Sequence, residues 1–177
     1  VRITGGRVVV ERIEAADALF DVDGATLQLR DVTLVEGDMR REAVRARGDA
    51  ALDLQGVRME TFWIGVAAEA GVRGRIEGGE FVDCLTGVHL VGGARPAVTG
   101  NRFEGAGFHV RADPGSFATG QDPPLAGNTY VGGSPITLSG SVVGDVTLAP
   151  VDGVGRLEVL DLDVRPGGRL AMVGGVE

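Results

Sequence analysis

Apolar and polar residues alternate along this chain in short runs, and the runs return at a near-constant interval. One phrase reads Asp31-Val32-Thr33-Leu34, Gly56-Val57-Arg58-Met59, Gly78-Gly79-Glu80-Phe81, Gly100-Asn101-Arg102-Phe103 and Gly127-Asn128-Thr129-Tyr130. Its closing apolar residues lie 25, 22, 22 and 27 positions apart. A second phrase runs in step: Phe20-Asp21-Val22, Val44-Arg45-Ala46, Val66-Ala67-Ala68, Val88-His89-Leu90, Phe108-His109-Val110 and Ile136-Thr137-Leu138. A third sits between them as Leu27-Gln28-Leu29, Leu52-Asp53-Leu54, Gly74-Arg75-Ile76 and Pro96-Ala97-Val98. Period-two alternation marks strands with one buried face. Three such strands within about 22 residues leave no room for a crossover helix, so each strand must stack parallel on its counterpart one repeat later. The pattern predicts an all-β solenoid of about seven coils, each roughly 22–25 residues long. Residues 1–139 are expected to form coils, and residues 140–177 a connector and a further coil of the same solenoid.

Two segments admit a helix. Val10, Ile13, Asp17 and Phe20 fall near helical spacing and suggest a short capping helix, although the preceding Val1–Val10 already reads as strand. Glu36–Arg47 is also partly helical in spacing, but register favours a long turn with Val44 and Ala46 in a strand. Neither end carries a clear cap, and an open solenoid end exposes a sheet edge. A piece of a longer chain, or a subunit stacking end to end, is therefore expected.

The phrases resemble the right-handed parallel β-helix family of pectin-lyase-like proteins and bacterial surface proteins. Gly100-Asn101-Arg102-Phe103 and Gly127-Asn128-Thr129-Tyr130 look like that family's Gly-Asn-x-aromatic turn, with Asn101 and Asn128 as structural turn residues. Asp161-Leu162-Asp163-Val164-Arg165-Pro166-Gly167-Gly168 looks like a further coil of the long surface β-helices. The resemblance implies an extracellular or cell-surface location and a polysaccharide or cell-surface protein as partner. It implies no chemistry by itself, because fold and site are separate matters. The pectate-lyase signature is matched only faintly, by Arg95-Pro96 and Arg102. The polygalacturonase Asp-Asp pair and Gly-His-Gly turn do not occur, and Gly87-Val88-His89 departs from the latter.

Composition narrows the partners. The 30 Gly among 177 residues suit repeated tight turns, and aromatics are only 5%. Net charge is −8, from 17 basic and 25 acidic residues, and every basic residue is Arg. An acidic chain without a basic run is a poor nucleic-acid ligand, and no stretch is long and apolar enough for a membrane span. Cys84 in Phe81-Val82-Asp83-Cys84-Leu85 reads as a small buried thiol. Asp161 and Asp163 share a strand and make calcium a candidate, but two carboxylates fall short of the six or more oxygens that calcium takes. No cofactor is otherwise expected.

The candidate site lies on an outward column that the second phrase aligns as Asp21, Arg45, Ala67, His89, His109 and Thr137. A neighbouring column reads Asp23, Arg47, Glu69, Val91, Arg111 and Ser139, and a third Thr33, Arg58, Glu80, Arg102 and Thr129. Opposite charges on adjacent strands would fix register. His89 and His109, the only histidines, would then stack on neighbouring coils above Arg45 and Asp21. Two such imidazoles repel when both are protonated, so at least one is expected to titrate below about 6.5. Asp21, Arg45, His89 and His109 would bind an extended glycan, or serve a lyase or hydrolase acting on an acidic polysaccharide. Solvated ladders that only fix register are the plainer reading, and a filament subunit is a third.

Overall fold

The computed structural model describes residues 1–105, 107–117, 125–148, 151, 154 and 157–172. These residues form a parallel β-solenoid of about seven turns, with no helix among them. The first sheet has eight strands, stacked in the order β1 (Arg2–Thr4), β4 (Phe20–Asp23), β7 (Glu42–Arg47), β10 (Ile64–Ala68), β13 (Thr86–Leu90), β16 (Phe108–Ala112), β19 (Ser134–Val142) and β21 (Leu157–Val164). The second sheet stacks β2 (Arg7–Glu11), β5 (Thr26–Arg30), β8 (Ala51–Gln55), β11 (Arg73–Glu77), β14 (Ala97–Thr99) and β17 (Leu125–Ala126). The third stacks β3 (Glu14–Ala16), β6 (Thr33–Val35), β9 (Arg58–Glu60), β12 (Glu80–Val82), β15 (Arg102–Glu104) and β18 (Thr129–Val131). A final parallel pair joins β20 (Asp145–Leu148) to β22 (Arg169–Met172). The capping helix considered for residues 10–20 does not form. That segment instead supplies the end of β2, all of β3 and the start of β4, because strands of the next coil offer each of them a parallel partner.

Each recurring phrase has a backbone cause. Asp31, Gly56, Gly78, Gly100 and Gly127 all stand at one corner with φ of 51°, 58°, 62°, 64° and 63°. Glycine adopts this left-handed turn without steric cost, and Asp tolerates it. Three residues later the chain enters the interior with Leu34, Met59, Phe81, Phe103 and Tyr130, which follow one another in register. Phe81 stacks on Phe103 at 4.9 Å between centroids, and Phe103 on Tyr130 at 5.5 Å. Leu29, Leu54, Ile76, Val98 and Leu125 form the facing column from the second sheet. Phe20, Val44, Val66, Val88, Val110 and Ile136 complete the interior from the first.

The large rings fit because the first sheet is small opposite them. Ala43 is fully buried there. A Cβ added to Gly65 would stand 2.7 Å from Phe81 Cδ1, and one added to Gly87 2.6 Å from Phe103 Cδ1. The segment Glu36–Arg47 is a turn followed by strand β7, as its register favours. The buried Glu36 carboxylate accepts the Arg41 backbone N–H at 3.1 Å and closes that turn. Cys84 is fully buried, its thiol donating to the Met59 carbonyl at 3.5 Å, and burial pushes its pKa up to about 11. It packs as an inert core group.

Candidate functional site

The outer face of the first sheet carries the column Asp21, Arg45, Ala67, His89, Arg111 and Thr137, each member opposite the next. This corrects the expected alignment at one coil. Val88 faces Val110, not Phe108, so Arg111 takes the place assigned to His109. His109 is fully buried, with its ring 5.9 Å from that of Phe103 and 5.6 Å from that of Tyr130. It occupies the next level of the column that Gly65 and Gly87 keep open, where the interior again has room for a ring. The two histidines therefore lie on opposite sides of one sheet and do not form a pair. His109 is removed from the outer candidate set, and Asp21, Arg45 and His89 remain on it.

Both imidazoles titrate below the ordinary histidine value, though not by mutual repulsion. Burial depresses His89 first, the Arg111 guanidinium adds to this, and the Asp113 carboxylate works against both. Burial likewise depresses His109, with the Val131 backbone acting in the opposite sense. Both groups favour the neutral form, the state in which an imidazole can accept a proton or a hydrogen bond.

The charges pair across coils, in straight register at Asp23–Arg47 and Arg58–Glu80 as expected, and diagonally at Arg45–Glu69 and Arg47–Asp21. Asp21 is approached by Arg2 at 3.7 Å and Arg47 at 3.5 Å, not by Arg45. Arg45 turns to Glu69 at 2.8 Å and Glu42 at 3.8 Å, and Arg47 reaches Asp23 at 3.2 Å. On the third sheet Arg58 bridges Glu60 and Glu80, whereas Arg102 pairs with Glu104 at 2.8 Å. On the second, Asp53 accepts from Arg75 at 2.6 Å, Gln55 at 2.7 Å and Gln28 at 2.8 Å. The Arg75 and Gln55 hydrogen bonds hold the Asp53 carboxyl below the usual carboxylate range. These outer groups are solvated, so each ion pair is worth at most about 1 kcal/mol. Their joint effect is to fix which residue faces which.

Beyond His89, Arg111 donates Nε to Ser139 Oγ at 2.9 Å and lies 6.0 Å over the Phe108 ring. The column thus carries an imidazole that favours its neutral form, a guanidinium held by two partners, the fully buried Thr137 and, opposite it, Glu158. Among the described residues, no group of three or more His, Cys, Asp or Glu is placed to hold a metal ion. Asp161 and Asp163 lie on β21, where Asp163 pairs with Arg165 at 2.9 Å. Residues 112–126, where Asp113-Pro114-Gly115 and Pro123-Pro124 break the repeat and suggest a projecting binding loop, lie partly outside the described residues.

A second polar feature is not among the sequence-based expectations. At the corner between the first and second sheets, Gly71, Val72, Arg73, Gly93 and Arg95 line a depression of about 510 Å³. A signal for it exists: Val72-Arg73 and Ala94-Arg95 recur 22 residues apart, in step with the aromatic column. The alternation that marks strands says little about corners, so that signal does not stand out.

These features define a parallel β-solenoid with two candidate recognition surfaces. Compared with known proteins, the chain has no significant match to any family model, curated protein or solved structure.

Proposed function

We propose that this chain is a structural, adhesive or glycan-binding module of an extracellular or cell-surface protein, built on the architecture of the pectin-lyase-like β-helices. The observation that carries this reading is the outer column of the eight-stranded sheet, where Asp21, Arg45, Ala67, His89, Arg111 and Thr137 stand one coil apart. Asp21, Arg45, His89 and Arg111 present polar side chains there on strands about 4.8 Å apart, interrupted by Ala67, while Thr137 is fully buried. An extended chain of sugars offers hydroxyl and carboxylate groups along one direction and can lie across several coils at once. Guanidinium groups bind carboxylates as forks, and a neutral imidazole hydrogen-bonds hydroxyls. The lyase or hydrolase alternative drew on a pair of stacked imidazoles, and His109 does not reach this face.

The test is binding of the chain to a panel of acidic and neutral polysaccharides, with and without calcium, by surface plasmon resonance. Binding that weakens at least about tenfold in an H89A/R111A variant supports the reading. Binding to no glycan, or binding indifferent to the double variant, overturns the glycan-binding role of this column and leaves a structural or adhesive module.

A filament subunit is the second reading. Among the described residues β21 is the last strand of its sheet, and its Val159, Leu160 and Val164 are 54%, 49% and 50% exposed. Such an edge offers both apolar contact and unpaired backbone groups to another coil. Sedimentation velocity over a concentration series distinguishes the two: a sedimentation coefficient that rises with concentration supports stacking, and a constant one opposes it.

A further inference from the structure

We propose that Arg73 and Arg95 form a site for one tetrahedral, doubly charged oxyanion, either a phosphate monoester or free phosphate. This goes beyond the outer-column reading and lies at a different corner of the solenoid. Arg75 faces Ala97 across the second sheet, so Arg73, two residues earlier, faces Arg95. Their backbones bear out the equivalence: the Arg73 N–H donates to the Ala50 carbonyl at 3.1 Å, and the Arg95 N–H to the Val72 carbonyl at 3.0 Å. Two guanidinium side chains therefore leave neighbouring strands about 4.8 Å apart.

Like charges in register destabilise a sheet. Elsewhere this chain places an acid against the arginine, as in Asp53–Arg75, Arg45–Glu69 and Arg58–Glu80. Here neither arginine forms an ion pair with a described residue, although the chain carries a net charge of −8. The Arg95 guanidinium makes one long hydrogen bond, 3.4 Å, to the Gly115 carbonyl. The nearby Asp113 carboxylate is occupied by the backbone N–H groups of Gly92 and Ser116. Asp49 lies against Gly71, one coil earlier.

Gly93 lines the depression together with both arginines. Gly93 has a φ of 78°, and nothing lies within 4 Å of where its Cβ would stand. A ligand can therefore approach the backbone at Gly93, two residues before Arg95. A carboxylate brings one charge and two oxygens. A phosphate monoester brings close to two charges and three acceptor oxygens, enough for both planar forks together.

The experiment follows the arginine Nε–Hε resonances of ¹⁵N-labelled protein at constant ionic strength. Inorganic phosphate, glucose 6-phosphate and a galacturonate trimer are titrated separately. The expected result is a saturable shift of the Arg73 and Arg95 resonances with both phosphate probes. Each single variant, R73Q or R95Q, weakens binding about tenfold, and the double variant abolishes it. Tighter binding of the sugar phosphate assigns the natural source to an esterified group, and equal binding assigns it to the free ion. Without ligand, R73Q is expected to melt at a higher temperature than the unmodified chain, because a like-charge contact is relieved. Phosphate then raises the melting temperature of the unmodified chain more than that of R73Q. The proposal is overturned if galacturonate alone shifts these resonances, if no probe does, or if phosphate binding survives in the double variant. A lower melting temperature for ligand-free R73Q also counts against it. R111A, on the other face, leaves phosphate binding unchanged, so failure of the glycan reading and failure of this site are separable.

Discussion

Asn128 holds Asn101 from one coil above: its Oδ1 accepts the Asn101 backbone N–H at 2.9 Å and the Asn101 Nδ2 at 3.1 Å. Asn101 repeats the arrangement downward, accepting the Gly79 N–H at 2.8 Å and donating to the Ile76 carbonyl at 2.9 Å. Both side chains are buried at the corner where the left-handed turn leaves backbone groups without a strand partner. An amide supplies donor and acceptor together, which suits these two turns; the equivalent position carries Val32, Val57 and Gly79 in the earlier coils. Asn101→Ala leaves the Gly79 N–H and the Ile76 carbonyl unpaired and is expected to cost about 2–3 kcal/mol. Urea unfolding checks this, and a loss below about 0.5 kcal/mol would show that the ladder does not hold the coils.

Gly87 is required for space, not for its backbone angle. A Cβ there would meet the His109 carbonyl oxygen at 2.6 Å as well as the Phe103 ring. Gly87→Ala must therefore displace an aromatic ring or push neighbouring strands away from each other, and about 1–3 kcal/mol of destabilisation is expected. The same substitution at Gly93, where the space is open, is expected to act only through its positive φ. Thermal melting of the two variants, compared with the unmodified chain, separates crowding from backbone strain. Equal losses, or a smaller loss at Gly87, would contradict the packing described.

The histidines make stability depend on mild acid. Both have folded pKa values below the unfolded value of about 6.5, so the unfolded chain binds more protons over this range. Their contribution is intact above about pH 6.5 and is lost as pH falls from there through the folded pKa values. No charged side chain among the described residues contacts the His109 ring; its aromatic neighbours are Phe103 and Tyr130, whose hydroxyl is itself pushed up to about 12 by burial. Denaturant midpoints are expected to fall between pH 7 and pH 5, less steeply in H109F and hardly at all in H109F/H89A. A slope unchanged in the double variant would assign the effect to carboxylates instead.

The coil architecture was legible because the corner geometry writes itself into the sequence. The interior residues Met59, Phe81 and Phe103 each precede an inward valine, Val66, Val88 and Val110, by seven positions. That constant offset already placed Val110, and not Phe108, on Val88. Matching the shape of the phrase instead slipped the strand by two residues. A two-residue slip preserves alternation, so the local pattern could not expose it. His109 is inside for a second reason: alternation breaks between it and Val110, which are both buried, at the level that Gly87 leaves open. The long turn after Glu36 was readable from register, whereas the diagonal ion pairs were not. Side-chain reach decides whether Arg45 meets Asp21 or Glu69, and a strand alignment does not encode reach. The Arg73 and Arg95 corner required knowing that both face one depression.

Disulfide scanning of the first sheet tests the register directly. Two cysteines whose Cα atoms stand on adjacent facing positions, about 5 Å apart, can bridge, and cysteines on opposite faces cannot. With His89 opposite Arg111, the variant H89C/R111C is expected to cross-link readily under mild oxidation, while H89C/H109C remains reduced. Cys84 is buried and does not compete. Cross-linking of H89C/H109C with none in H89C/R111C would contradict the register, and with it the outer column on which the glycan reading is built.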